Sequence, residues 1–147
     1  MRLTKYDTVV SADYTIYEFT SVGKNGAVPK VVVYTPLFLD DVYNLGFGDV
    51  DATTGDWTDT ITTDNGDYRI VLATVASTVI SFLVTHPGAS VYATGNTDNR
   101  NELYRRGIEH VLREIEPDYD IQGQTHEDEW ETFERNRSYE AFLIKRR

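Results

Sequence analysis

The first third of the chain alternates between apolar and polar positions, a period that predicts β-strands. Residues 13–21, DYTIYEFTS, alternate in this way, and the β-branched run KVVVYT at 30–35 follows a turn rich in glycine and asparagine. The two runs predict an antiparallel hairpin that ends at Pro36. A third strand is predicted over 42–50, VYNLGFGDV, where two glycines indicate a bulge or the close approach of another group.

Two later segments have the wider apolar spacing of helices. Residues 68–85 follow Asp67, which is placed to cap a helix N-terminus, and a Pro-Gly pair ends them. Residues 98–115 are amphipathic and stop just before a proline. The predicted buried positions are Tyr68, Leu72, Val75, Val79, Phe82 and Leu83 in the first helix and Leu103, Tyr104, Ile108, Val111, Leu112 and Ile115 in the second.

Shorter segments complete the predicted order. Strands are predicted at 89–94, 119–125 and 139–146, a loop or single helical turn at 127–135, and a short strand is an open alternative at 59–63. The order β-β-β-α-β-α-β-β favours an α+β fold, with a largely antiparallel sheet and two helices packed on one face. Chain length is consistent with a single domain over 1–147.

Composition limits the classes of protein that remain. The chain has 147 residues and is 40% hydrophobic, which is enough for the core of one domain. It has no cysteine, so disulfides and thiolate sites are excluded. The N-terminus has no apolar run of signal-peptide length, and the longest apolar stretch, 70–86, is shorter and more polar than a membrane span of ~20 residues. We therefore expect a soluble, cytoplasmic protein without membrane contact.

Acidic residues are concentrated in two segments. Of the 24 Asp and Glu residues, eight lie in 40–67 and eight in 116–134, and neither segment contains Lys or Arg. The rest of the chain is therefore basic, although the formal net charge is −10. Acidic segments keep a protein soluble, and they can also engage a protein with a basic surface. Nucleic acid is the alternative partner, because Arg135, Arg137 and the C-terminal KRR could form a basic face.

The stretch ATGNTDNRNELYRR, 93–106, contains a candidate ligand site. It predicts a strand end, a turn and the first turn of the second helix, where backbone N–H groups are unsatisfied and the helix dipole is positive. Arg100 lies in that first turn, so its guanidinium needs a compensating negative charge. Either a carboxylate of the sheet supplies this charge, or an external anion binds there. The candidate anion site comprises Gly95, Asn96, Thr97, Arg100, Tyr104 and Arg105.

Known catalytic and metal-binding motifs are absent from the sequence. The three histidines are isolated, and neither H-E-x-x-H, G-x-S-x-G nor a glycine-rich phosphate loop occurs. The run DVDATTGD at 49–56 resembles a calcium loop, but Thr54 stands where glycine is needed and Thr60 where a bidentate Glu is needed. The sequence therefore predicts no cofactor and no metal, and it leaves catalytic residues unassigned.

Several longer motifs, in this order, resemble a family of small bacterial proteins known as a domain of unknown function. The motifs are YEFTSVGKNGAVPKVVVYTP, YNLGFGD, NGDYRIVLATVASTVISFL, TGNTDNRNELYRRGI and YEAFLIKR, which cover nearly the whole chain. The resemblance implies a cytosolic bacterial protein with no assigned activity. It also draws attention to Gly95, Thr97, Arg100, Leu103 and Tyr104 as a unit.

The sequence favours a non-enzymatic binding module whose partner is a protein with a basic surface. The missing catalytic motifs and the segregated charge support this hypothesis. The alternative is an enzyme or toxin-like factor that acts on RNA or a phosphorylated substrate. In that case Arg100 would clamp phosphate with help from Arg105, and Tyr104 or His110 would transfer protons. Coenzyme A binding, as in acetyltransferases, is a third hypothesis, which the lack of a glycine-rich turn disfavours.

Arg100 also generates a stability prediction. We expect its side chain to be buried and paired with Glu18, Asp49 or Glu140, each in or beside a predicted strand. Removing one member of a buried pair costs ~3–5 kcal/mol, because the other charge is left unpaired. Arg100→Ala should lower the melting temperature sharply, whereas Arg105→Ala on the predicted solvent face should change it little. Thermal unfolding measures both, and two variants that melt like wild type would show that Arg100 is exposed or held for a ligand.

Overall fold

A mixed β-sheet with two helices makes up the fold in the computed structural model, which describes residues 4–51, 53–58, 65–95, 98–115 and 117–147. For 58, 98–100 and 111–115 the description covers the backbone alone. The elements are β1 (Val9–Val10), β2 (Ile16–Gly23), β3 (Gly26–Pro36), β4 (Val42–Val50), β5 (Trp57–Thr58), α1 (Tyr68–Thr85), β6 (Ser90–Ala93), α2 (Asp98–Ile115), β7 (Tyr119–Gln124), β8 (Trp130–Thr132) and β9 (Ala141–Arg146).

The strands pair in the order β1-β2-β3-β4-β6-β9-β7-β8, and β5 pairs with the far end of β4. The β4–β6 pair is parallel and every other pair in the described sheet is antiparallel. The parallel pair arises because the chain crosses over through α1 before it returns beside β4. Side chains of both helices join the sheet in one hydrophobic cluster, which confirms the predicted α+β class.

The helix bounds and the hairpin were predictable, and the smallest strands were not. Both helices begin and end at the predicted residues. The prediction of a loop or helical turn at 127–135 is wrong in part, because Trp130–Thr132 forms a strand. This strand pairs with β7 at the sheet edge, and three residues are too few to show a period of two. The open alternative at 59–63 lies outside the described residues.

Helix α1 is buried on more than one side. Leu72, Val75, Val79, Phe82 and Leu83 are buried as predicted, whereas Tyr68 is exposed and that prediction is wrong. Tyr68 is in the first turn of α1. Near this end of the helix, the N-terminal segment of the chain packs on the side opposite Tyr68. There the Tyr6 N–H donates to Thr74 Oγ1 at 2.9 Å, and Thr74 is fully buried. Length and composition alone would let α1 cross a membrane, but core helices pass the same test.

Aromatic rings fix α1 on the central strands. The ring of Tyr34 in β3 stacks on Phe82 with centroids 4.3 Å apart, and its hydroxyl lies 2.8 Å from Thr78 Oγ1. Tyr43 of β4 meets the edge of the Phe82 ring at 4.9 Å. These contacts combine large buried areas with one directional hydrogen bond, so they set the position of the helix along the strand.

A buried ion pair lies on the same face of the sheet. Lys30 and Asp49 are cross-strand partners in β3 and β4, and Lys30 Nζ lies 2.6 Å from Asp49 Oδ1. The Lys30 side chain is 1% exposed and its ammonium lies 5.7 Å from the centre of the Phe47 ring. Burial of a lysine is costly unless a carboxylate compensates it, so each residue requires the other. The sequence pattern did not predict this pair.

Two glycines make room for aromatic rings. A Cβ on Gly46 would stand 2.7 Å from the Trp57 ring, which confirms that another group approaches β4 closely. A Cβ on Gly123 in β7 would stand 2.5 Å from the ring of Tyr139. Any larger residue at either position would displace an aromatic ring.

The ion pair gives a prediction on stability. Lys30→Met keeps most of the aliphatic stem but removes the ammonium that lies against the Asp49 carboxylate, so it should cost ~3–5 kcal/mol in the free energy of unfolding. The double variant Lys30→Met/Asp49→Leu removes both charges and should be more stable than Lys30→Met alone. Urea unfolding of the two variants and of Asp49→Leu measures the coupling. Strictly additive losses would contradict the pair.

The tyrosines give a prediction on pH. Burial raises the pKa of Tyr34 well above its ordinary value of about 10, so the folded state favours the neutral phenol. The contribution of neutral Tyr34 to the free energy of unfolding is complete below about pH 10. It is lost as the pH rises towards the pKa of Tyr34 in the folded state. Phenolate absorbance and circular dichroism, followed together from neutral to alkaline pH, should show Tyr34 ionising only as the protein unfolds. Tyr68, whose pKa is lowered by its hydrogen bond with Arg69, should ionise earlier and leave the fold intact.

Candidate functional site

The start of α2, the candidate anion site, is described only in part. The Gly95 N–H donates to Asn101 Oδ1 at 2.7 Å, so an asparagine of the first helical turn closes the corner. Asn96, Thr97 and the side chain of Arg100 lie outside the described residues. The anion site and the pairing of Arg100 therefore stay predictions.

The two remaining members of that site face different surroundings. Tyr104 is buried against the sheet, as predicted. Arg105 bonds to Glu102 and Glu109 on its own helix, and its side chain is 15% exposed. The prediction that Arg105 lies on an open solvent face is therefore wrong, because the two carboxylates flank it and Glu109 also accepts from the N–H of Asn136.

Two of the three carboxylates expected to pair with Arg100 have other partners. Asp49 pairs with Lys30, and Glu140 Oε1 lies 3.4 Å from Nδ1 of His126. Glu18, the third, is on the surface of β2. His110, the proposed proton-transfer group, is exposed on α2 while Tyr104 is buried, so the two lie in different environments.

Asp67 has a different role from the predicted cap. It precedes α1, but its side chain makes no capping hydrogen bond. Instead, Asp67 Oδ2 accepts the hydroxyl protons of Tyr6 and Ser21, at 2.5 and 2.6 Å. The buried Asn65 amide donates to Ser21 Oγ and to the Gly26 carbonyl, at 3.1 and 2.9 Å. This polar network connects the N-terminal segment, the β2–β3 turn and the start of α1, so it is structural.

A serine, a histidine and a glutamate meet near the β7–β8 turn, which the sequence analysis did not predict. Ser138 Oγ lies 3.0 Å from Nε2 of His126, and Nδ1 of the same ring lies 3.4 Å from Glu140 Oε1. This is the order of contacts in which a base activates a serine nucleophile. The three residues stand 12 and 2 positions apart along the chain, so no linear motif contains them.

The surroundings of this group do not favour acyl transfer. His126 and Ser138 are exposed, and three acidic residues, 127–129, stand in the same turn. The backbone N–H groups of Glu127 and Glu129 donate to Thr125 Oγ1, so the turn uses them internally. An oxyanion would thus form in water beside carboxylates, whereas catalysis needs donors aimed at it in a sheltered site. We interpret the group as a contact that links the β7–β8 turn to the start of β9.

The β3–β4 loop exposes three consecutive apolar residues, which we call the apolar tip: Leu37, Phe38 and Leu39. Phe38 is fully exposed, at 108%, and the two leucines are 41% and 72% exposed. Asp40 and Asp41 follow directly, and both are exposed. Soluble proteins seldom present a contiguous apolar group of this kind to water unless it contacts another molecule. The apolar tip directly precedes the first acidic segment, 40–67.

Backbone hydrogen bonds hold the tip in shape. The Leu37 N–H donates to the Val42 carbonyl at 2.9 Å, and the Val42 N–H returns to the Leu39 carbonyl at 3.3 Å. The carbonyl of Asp41, whose φ is 61°, accepts the N–H of Ser90 at 2.7 Å. A loop fixed in this way displays its side chains at a small entropic cost of binding.

The acidic residues divide between structural and exposed roles. In the first segment Asp49 and Asp67 serve the ion pair and the polar network, while Asp40 and Asp41 face solvent beside the tip. In the second segment Glu131 and Glu134 bond to Arg137, which neutralises part of the predicted basic face. Within the described part of the chain, no three His, Asp or Glu side chains form a group that could hold a metal.

Comparison with known proteins identifies the family. The model of a family of unknown function, DUF6934, matches residues 2–147, and the chain belongs to that family. The resemblance noted in the sequence is confirmed to that extent. Neither a curated protein nor a solved structure gives a match.

Proposed function

We propose that this protein is a non-enzymatic interaction module that binds a cytoplasmic partner protein through the apolar tip. The observation that carries the proposal is the fully exposed Phe38 in a hydrogen-bonded loop. A rigid aromatic side chain that enters a pocket is the typical energetic centre of a protein interface. The flanking leucines would cover the rim of that pocket and exclude water from it.

The charge beside the tip indicates the chemistry of the partner. Asp40 and Asp41 directly follow the tip, and the whole chain carries a net charge of −10. A basic surface around an apolar pocket would complement both features, and the long-range field would speed the encounter. The same charge disfavours nucleic acid, whose phosphates would be repelled.

The alternative, an enzyme acting on RNA or a phosphorylated substrate, has less support. It needs a proton-transfer group near the phosphate, and Tyr104 is buried while Arg105 is engaged by two glutamates. We therefore propose the module alone.

A photo-crosslinking amino acid at position 38 tests the proposal in cells that make the protein. We expect one discrete crosslinked protein from position 38. The matched control is position 22, because Val22 is 63% exposed and lies at the other end of the β2–β3 hairpin. A crosslink to a second copy of this chain would contradict the proposal, since two tips would then bring their aspartates together. Equal labelling from positions 38 and 22 would contradict it too.

Binding of the purified partner then measures the energetics. Phe38→Ser should weaken binding by about 2 kcal/mol or more, roughly 30-fold in Kd, and Val22→Ser should leave it unchanged. Asp40→Asn/Asp41→Asn should reduce the dependence of Kd on salt, because surface charges act through a screened field. Binding that is insensitive to both salt and the Phe38 change would overturn the proposal.

A further inference from the structure

The face of the sheet opposite the two helices carries a row of polar and aromatic side chains. In β6 and β9, Val91 and Ile144 point into the core cluster that contains α1 and α2. Their neighbours Tyr92 and Leu143 point to the opposite face, because successive side chains of a strand alternate. Strand pairing extends them into a row across β4, β6, β9, β7 and β8, which we call the distal row: Asn44, Tyr92, Leu143, Gln122 and Thr132. All five are half-buried or exposed.

Two aromatic rings lean towards each other over the distal row. Tyr92 and Trp130 stand on β6 and β8, with β9 and β7 between them, so three strand spacings of ~4.8 Å separate their backbones. Their ring centroids are nevertheless 6.3 Å apart. Both rings therefore lie along the sheet. Trp130 keeps 40% of its surface exposed in this position, whereas Ala141, on the same face of β9, is 1% exposed.

Three amide side chains beside these rings are available to a ligand. Asn44 is the cross-strand neighbour of Tyr92, and Gln124 is that of Trp130, while Gln122 lies two residues from Gln124. None of the three amides makes a side-chain hydrogen bond within the described residues, where no buried side-chain N or O atom lacks a partner. Their polar atoms are therefore at the surface, and each amide can both donate and accept hydrogen bonds.

The charges around the distal row favour a neutral ligand. Asp120 and Lys145 are cross-strand partners on this face, so the charges that β7 and β9 place there balance. Beside Trp130, the β7–β8 turn carries three acidic residues, 127–129. A balanced surface does not attract a charged ligand, and the acidic turn would repel the phosphates of a nucleic acid.

We propose that the distal row, with Trp130 and Gln124, binds a neutral oligosaccharide. The C–H groups on one side of a sugar ring would pack on the negative faces of the two aromatic rings. The sugar hydroxyls would donate to and accept from the amides. Four strand spacings of ~4.8 Å give the row a length of roughly 19 Å, which accommodates several linked sugar rings. The site uses no residue of the apolar tip, so either proposal can fail without the other.

Titration of the full chain with maltohexaose, cellohexaose and chitohexaose tests the proposal by calorimetry and NMR. At least one of these neutral sugars should bind and shift the indole N–H signal of Trp130. Its Kd should not change with salt, because the sugar carries no charge to be screened. Absence of binding by all three at millimolar concentration would overturn the proposal. So would hexauridylate, if it shifted the Trp130 signal at a lower concentration than every sugar.

Variants locate the bound sugar on this face. Trp130→Ala removes the larger ring and should weaken binding about 10-fold or more. Gln122→Ala leaves both rings in place and should weaken binding about 3-fold or more, which decides the matter if Trp130→Ala fails to fold. The matched control is Tyr68→Ala, because Tyr68 is 41% exposed but stands on α1.

Circular dichroism checks that each variant is folded. Sugar binding that is unchanged in Gln122→Ala, or in folded Trp130→Ala, would contradict the proposal. An equal loss of binding in Tyr68→Ala would contradict it too, because the sugar would then not be bound on the face opposite the helices.

Discussion

The stack of Tyr34 on Phe82 is the contact on which the rest of the structure depends. It holds α1 against β3 with ring centroids 4.3 Å apart, and the hydroxyl of Tyr34 adds a hydrogen bond to Thr78. Ring packing alone permits sliding, but a buried hydroxyl with one partner does not, because its loss would leave a polar group unsatisfied. The helix therefore has one position along the strand, and everything attached to either end of α1 is positioned with it.

The two ends of α1 serve different parts of the molecule. At the C-terminal end His86 packs on Phe82, and the chain turns into β6, whose first N–H bonds to the carbonyl of Asp41. The apolar tip is thereby supported from a second element as well as from its own strands. At the N-terminal end the Asp67 network ties the helix to the hairpin, and α2 packs nearby with Gly107 against Leu72. A central helix thus connects a displayed loop at one end with the Asp67 network at the other.

The sequence predicted the elements that depend on a long apolar pattern. It did not predict the contacts between residues that are far apart in the sequence. The bounds of α1 and α2 follow from 18-residue apolar patterns and proline stops, which few alternative structures satisfy. The sequence did not indicate that Lys30 is buried. A lysine at the start of a β-branched run predicts an exposed strand end, and only the pairing of β3 with β4 shows that Asp49 lies opposite. The contact between His126 and Ser138 was not predictable either, because a turn brings together two residues that are 12 positions apart in the sequence. The exposure of Arg105 was predicted wrongly, because a helical wheel does not include the carboxylates of Glu102 and Glu109 that flank its side chain.

The acidic character of the chain and its apolar tip explain each other. A fully exposed phenylalanine between two leucines would promote self-association in a neutral protein, since identical apolar groups attract one another. Here Asp40 and Asp41 stand next to the tip, so a second copy would bring like charges together as it buried the rings. A partner of opposite charge would gain both from burial of the apolar tip and from attraction to Asp40 and Asp41. In the proposed interaction, the residues that would repel a second copy would also select the partner, so the negative charge would form part of the recognition surface.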